Sequence, residues 1–253
     1  MGTNVGGLIL PFEGDEIQAV ALIEQLEAKS LHKREHWTSD FNTGSEEDFS
    51  FCLVNGYLIL HHAYYVHSMF YTPEIWQEKF KHLGLMERII VFLRVDSANA
   101  AGYAIYENAQ QIRCLEQSED VTHQFGEILS FEQQWLNASA FYVHEFEDEY
   151  GEWQSKIIPE SGFNENEMEE WEDYYKCRYI DEYENSVREF ELASVILNEL
   201  LFDLFQMKYT LDNPYPETFL YSTLSEPRQS KQSQARQNSK SSLWGKLVAL
   251  FKK

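Results

Sequence analysis

The chain has few cysteines, few basic residues and no long apolar run, and each shortage excludes something. Its three cysteines, Cys52, Cys114 and Cys177, lie far apart with no Cys-x-x-Cys pair. An odd, scattered set makes no disulfide framework and suits a reducing compartment. Twenty Lys and Arg stand against 42 Asp and Glu, a net charge of −22. A body this acidic repels nucleic acid and anionic lipid. No stretch reaches the ~18 apolar residues that a membrane-spanning helix requires. The opening MGTNVGGLIL lacks the basic start and full apolar core of a secretion signal, so a cytoplasmic location is expected. Also absent are the Gly-x-Ser-x-Gly elbow, the phosphate loop and the dinucleotide fingerprint. The expectation is a chain without cofactor, metal or visible catalytic residues.

What is present begins with rings. Aromatics make up 15% of 253 residues, and large rings supply much burial per residue. A folded body with a sizeable core is expected over residues 1–224. The acids and bases are not evenly spread. From Ser225 onward there are seven basic residues and one acid, a net of +6, which leaves −28 for everything before.

The early pattern alternates strands with helices. Residues 7–12 (GLILPF) read as a short buried strand, with Pro11 closing it or marking an edge. Residues 15–27 read as a helix with Ile17, Val20, Ala21 and Ile23 toward the core. Asn55-Gly56 is the favoured type I′ pair, flanked by strands at 49–54 and 57–66. That register puts Phe49, Phe51, Leu53, Leu58 and Leu60 on one face. Thr72-Pro73-Glu74 is a helix start, a capping hydroxyl followed by proline at the first helical position. Its apolar side is Ile75, Trp76, Phe80 and Leu83, and Gly84 ends it. Residues 87–95 form an apolar strand, and a hairpin joins 102–106 to 110–115 through Glu107-Asn108-Ala109. The fold class expected is α+β, a mostly antiparallel sheet with packed helices.

The character changes after Leu136. Residues 145–191 hold 17 acids and four bases. Met168, Trp171, Tyr175 and Tyr179 recur at helical spacing, and Asn164 with Glu167 suits a capping box. A helix is therefore expected there, with Glu167, Glu169, Glu170, Trp171, Glu172 and Asp173 as an acidic face. A docking surface for a basic protein, a weak divalent-ion site, a DNA mimic and a solvated charge run all remain open for it. Phe190, Ala193, Leu197, Leu200, Leu201 and Leu204 then form a core-facing stripe. Residues 209–224 read as irregular.

The stretch 101–135 resembles a family of uncharacterised bacterial domains. The positions that carry the resemblance are Tyr103, Ile105, Tyr106, Glu107, Arg113, Gly126, Glu127, Leu129, Phe131 and Glu132. Ala109 stands where the family has a turn glycine, and the acidic stretch has no counterpart in it. The resemblance implies an α+β domain and no particular activity.

Candidate chemistry is sparse. His61, His62 and His67 are crowded in HHAYYVH. On one strand, however, His61 and His62 would point to opposite faces and His61 and His67 would lie about 20 Å apart. Neither pair could share an ion with metal–nitrogen bonds near ~2.1 Å. Cys52 and Cys114 lie in apolar strands and read as buried thiols. Arg88, Arg94 and Arg113 read as ion-paired rims.

The last eleven residues are different. Wound as a helix, Leu243, Trp244, Leu247, Val248, Leu250 and Phe251 fall on one arc of about 160°. Gly245, Lys246, Ala249, Lys252 and Lys253 fall on the other. A polar, flexible linker over 225–242 precedes this amphipathic basic helix. So short a helix is largely unfolded alone in water and needs a surface to fold against. An anionic membrane, a groove on its own body and a groove on a partner protein all remain open. Trp244 suits the lipid headgroup region, and Lys246, Lys252 and Lys253 suit anionic lipid.

The expected function is a non-enzymatic interaction or adaptor protein at the inner membrane surface. The alternatives are an enzyme whose site the sequence does not reveal, and an immunity-like protein that neutralises a basic target.

Overall fold

The computed structural model describes residues 4–35, 45–95, 98, 100–118, 121–164, 173–180, 186–205 and 218–224. The linker over 225–242 and the segment 243–253 lie outside them. So do Glu167, Glu169, Glu170, Trp171 and Glu172.

The elements in chain order are β1 (Asn4–Pro11), α1 (Glu16–Glu27), β2 (His32–Arg34), β3 (Asp48–Val54), β4 (Tyr57–His61), α2 (Ala63–Tyr71) and α3 (Pro73–His82). They continue with β5 (Ile89–Val95), β6 (Ala100–Glu107), β7 (Gln110–Ser118), β8 (Val121–Gly126), α4 (Ser130–Leu136), β9 (Ser139–Glu147) and β10 (Trp153–Pro159). The last are β11 (Asp173–Tyr179), β12 (Val187–Arg188), α5 (Leu192–Phe205) and β13 (Phe219–Ser222).

Two antiparallel sheets organise the chain, which is an α+β fold. The larger runs β2-β13-β3-β4-β1-β5-β6-β7-β8, and the smaller runs β10-β9-β11-β12. Helices cover both faces of the larger sheet. On one side Ala19, Ile23, Val66, Met69 and Phe80 from α1–α3 pack on Leu8, Phe49, Leu58 and Val91. On the other, Trp135 of α4 and Ala193, Ile196, Leu197 and Leu201 of α5 pack on Ile9, Ile59, Phe92 and Tyr103. Burial on both sides explains why β5 reads IIVFLRV instead of alternating.

Both hairpins turn on residues with positive φ. Asn55 and Gly56 (φ 50° and 80°) close β3–β4 with Val54 opposite Tyr57. Asn108 and Ala109 (φ 49° and 56°) close β6–β7 in the same way. An alanine there carries the steric cost of a left-handed backbone, of order 1–2 kcal/mol. Its methyl group is buried among the residues under α3, which offsets part of that cost.

Several expectations need correction. Helix α1 buries Ala19, Ile23 and Leu26, whereas Ile17 is 77% exposed and Ala21 faces out. Ile17 lies about 200° around the helix from Ala19, on the opposite side. The reciprocal hydrogen bonds of Asp15 and Gln18 set where this helix begins. The strand expected over 57–66 ends at His61, and α2 follows. Tyr65, Val66, Met69 and Phe70 are buried there at helical spacing, a pattern that continues past residue 66. Thr72 does not cap α3 with its side chain; its hydroxyl donates to the Ser68 carbonyl at 2.9 Å. Ile75 faces solvent.

Residues 173–179, expected in a helix, are strand β11. Tyr175 and Tyr179 are four apart, a spacing that puts two residues on one face of a helix or of a strand alike. Residues 219–222, expected to be irregular, form β13, which inserts between β2 and β3. Pro11 closes β1, which lies mid-sheet between β4 and β5. No helix among the described residues is long and apolar enough to cross a membrane.

Candidate functional site

Three polar centres and one exposed surface stand out. The first centre lies under α4. Arg113 of β7 and Glu132 of α4 are 1% and 0% exposed. Arg113 Nε donates to Glu132 Oε1 at 2.8 Å, and one terminal nitrogen lies 2.8 Å from the same oxygen. The other terminal nitrogen donates to the carbonyls of Phe125 and Gly126. Glu132 also accepts from the Tyr103 hydroxyl and from the Leu129 amide. Arg113 is thus no rim residue. Tyr103, Arg113, Gly126 and Glu132, four of the positions that carry the family resemblance, meet in one buried network. The two charges neutralise each other, although the nitrogen nearest Glu132 Oε1 makes no well-formed hydrogen bond, and the network fixes β7, β8 and α4 together.

The second centre lies on the opposite face, where α2 ends over β7 and β8. Cys114, Glu116 and Ser118 share the inward parity of β7, which puts a carboxylate where an apolar residue is usual. Glu116 is 2% exposed, sits directly opposite His123, and accepts from the Tyr71 hydroxyl at 2.5 Å. The Tyr71 ring stacks on His123 and lies 4.9 Å from the ring of His67. Burial pushes the Glu116 carboxyl up to about 7, with the Tyr71 hydrogen bond pulling the other way. Tyr71 covers the carboxylate, so a substrate atom reaches it only if the ring is displaced. Sequence reading missed this residue; the available signal was a glutamate at the core parity of an apolar strand.

The third centre is His62, which lies between β4 and α2 and is fully buried. Its ring is stacked 4.3 Å from Phe49 and tilted against Tyr65 at 4.0 Å, and neither nitrogen has a well-formed hydrogen bond. Burial drives it down to about 3, partly countered by the backbone of Glu46. The expected single-strand geometry of His61, His62 and His67 is overturned, because His67 belongs to α2. Among the described residues no group of three His, Cys, Asp or Glu could hold a metal ion. Cys52, Cys114 and Cys177 are free and buried, and burial pushes the Cys52 thiol up to about 12. Arg88 pairs with Glu107.

A recess of about 210 Å³ lies against Leu10, Pro11, Leu85, Met86, Glu87 and Ile89. Of its lining residues only Glu87 carries a titratable side chain, so it gathers no acid–base pair.

The exposed surface belongs to the smaller sheet. Register puts Val143, Glu145 and Glu147 of β9 on one face with Trp153 and Ile157 of β10 and Tyr175 of β11. Trp153 is 69% and Ile157 49% exposed. Tyr175 donates to Glu145 at 2.8 Å, with Arg188 over its ring. The opposite face carries Lys156, Lys176 and Arg178 among Tyr142, His144 and Tyr174, and none of its described strand residues is acidic. The strand residues of the two faces thus differ in charge as well as in parity, with Arg188 at the β12 edge of the acidic face and Glu160 and Glu189 pairing Lys176 and Arg178 on the other.

At the tip of the β9–β10 hairpin, Asp148 accepts from the Tyr150 and Glu152 amides and from Gln154. These bonds hold its carboxyl below the usual range. From Glu145 to Trp153 there are five acids and no base. Of the acidic face expected at 167–173, only Asp173 is described; it opens β11 opposite Glu145. No family model, curated protein or solved structure matches the chain.

Proposed function

We propose that this chain is a non-enzymatic interaction protein of the inner membrane surface. In this reading residues 243–253 bind anionic lipid, and the body presents an acidic, aromatic face to a basic protein. The observation that carries it is the terminal segment itself. Six apolar side chains gather on one arc, three lysines lie off it, and eighteen mainly polar residues separate it from the body. One short segment of this kind gives reversible attachment, so the protein would exchange between membrane and bulk. The β9–β10 hairpin supports the second half of the reading, because it leaves Trp153 and Ile157 in solvent beside glutamates. Exposed rings among charges are common where proteins meet.

Vesicle co-flotation tests it. The full chain should float with vesicles containing phosphatidylglycerol and stay behind with phosphatidylcholine alone. A version ending at Leu224 should float with neither. If the full chain fails to float with anionic vesicles, the membrane reading is wrong.

A further inference from the structure

We propose that residues 243–253 dock on the Glu145–Trp153–Ile157 face of the smaller sheet, so that body and membrane compete for one segment. The inference rests on reading that segment as a basic amphipathic helix, and it adds the surface that holds it when lipid is absent.

The dimensions agree. Trp153 and Ile157 are four residues apart on β10, about 13 Å at strand spacing. Leu243 to Phe251, eight rises of a helix, covers about 12 Å. Val143 and then Tyr175 follow Ile157 in a row across the strands and extend the apolar strip. The helix arc can therefore lie along the strip with its ring and leucines against Trp153 and Ile157.

Charge selects the face. Glu145 and Glu147 share it, and Glu149 and Glu152 lie at the hairpin tip beside it. Lys246, Lys252 and Lys253 would meet these carboxylates. The reverse face of the same sheet carries Lys156, Lys176 and Arg178; Glu160 and Glu189 pair the last two, so its strands present no acid to the lysines. A second copy of the chain would bring the same acids against each other, and anionic lipid is repelled by this face as well.

Reach is sufficient. Eighteen linker residues extend to about 60 Å at most, whereas a body of this size has a radius of gyration near ~17 Å. Tethering also keeps the segment at an effective concentration that a free basic protein seldom matches. Docking would hide the body's partner face until membrane draws the segment away.

The test uses the full chain and a zero-length carbodiimide, which joins a lysine to a carboxylate only in direct contact. In the monomer fraction, Lys246, Lys252 or Lys253 should be coupled to Glu145, Glu147, Glu149 or Glu152. Trp153→Ser combined with Ile157→Ser removes the apolar strip at exposed positions, so the fold should keep its circular dichroism. Coupling should then fall about tenfold and affinity for phosphatidylglycerol vesicles should rise several-fold, because a competing state is lost. Coupling to other carboxylates, coupling between copies only, or no coupling would overturn the docking. If coupling maps as expected but the vesicles bind nothing, docking stands and the membrane reading falls. Vesicle binding without coupling gives the reverse.

Discussion

Arg113 and Glu132, nineteen residues apart in sequence, form an ion pair at 2.8 Å with almost no exposed surface on either side chain. Burying two charges is costly, and the pair is supported by Tyr103, Leu129, Phe125 and Gly126, which bond to Glu132 and to one terminal nitrogen of Arg113, while the other terminal nitrogen has only its ion-pair contact with Glu132. Removing one partner leaves the other charged and uncompensated. Arg113→Met should lower stability by about 3–5 kcal/mol, read as a shift of the urea midpoint. Adding Glu132→Leu to it should restore a large part of the loss. If the double variant is no more stable than Arg113→Met, an uncompensated charge is not the cause.

Glu116 should make stability fall as pH rises. Its carboxyl sits near 7 in the fold and near 4.5 when unfolded. Between those values the folded chain holds the extra proton, so the contribution is complete below about 4.5 and is lost as pH climbs through 7. The full difference is on the order of 3 kcal/mol. Glu116→Gln keeps an acceptor for Tyr71 and should flatten this part of the profile. Urea denaturation of both chains from pH 4.5 to 8 measures it. A variant that retains the slope would assign it to another group.

His62 works in the opposite direction. Its folded value is near 3 and its unfolded value near 6.5, so the unfolded chain takes the proton first and stability is lost as pH falls through that window. At pH 5 the loss amounts to about 2 kcal/mol. His62→Phe preserves the stack between Phe49 and Tyr65. It should gain about that much more at pH 5 than at pH 8, a difference that melting curves at the two values would show. Equal gains at both would mean that His62 does not titrate.

Gly126 has a φ of +83°, and a Cβ there would lie 1.9 Å from the Ile112 carbonyl oxygen. Gly126→Ala should therefore cost well over 1 kcal/mol. Because its carbonyl also accepts from Arg113, the loss should be smaller in a background that already lacks Arg113. A thermodynamic cycle of the two substitutions gives the coupling. Strict additivity would show that backbone strain acts without the network.

Local chemistry was sufficient where neighbours in sequence decide the outcome. Asn55-Gly56 dictated a turn, the turn dictated a register, and the register put Phe49, Phe51, Leu58 and Leu60 on one buried face. The apolar run in β5 and the leucine stripe of α5 were legible for the same reason. Periodicity failed where one spacing satisfies two structures, as with Tyr175 and Tyr179, and where a pattern was cut short, as at His62. It could not reveal β13, whose four residues become a strand only because β2 and β3 lie on either side. Nor could it reveal that Tyr71 covers Glu116 or that Arg113 finds Glu132, since those contacts join elements that fold separately along the chain. The sequence alone determined the charge of each segment. Only the tertiary structure decided which charges are buried together and which face of the smaller sheet is acidic, because burial and strand register depend on long-range packing.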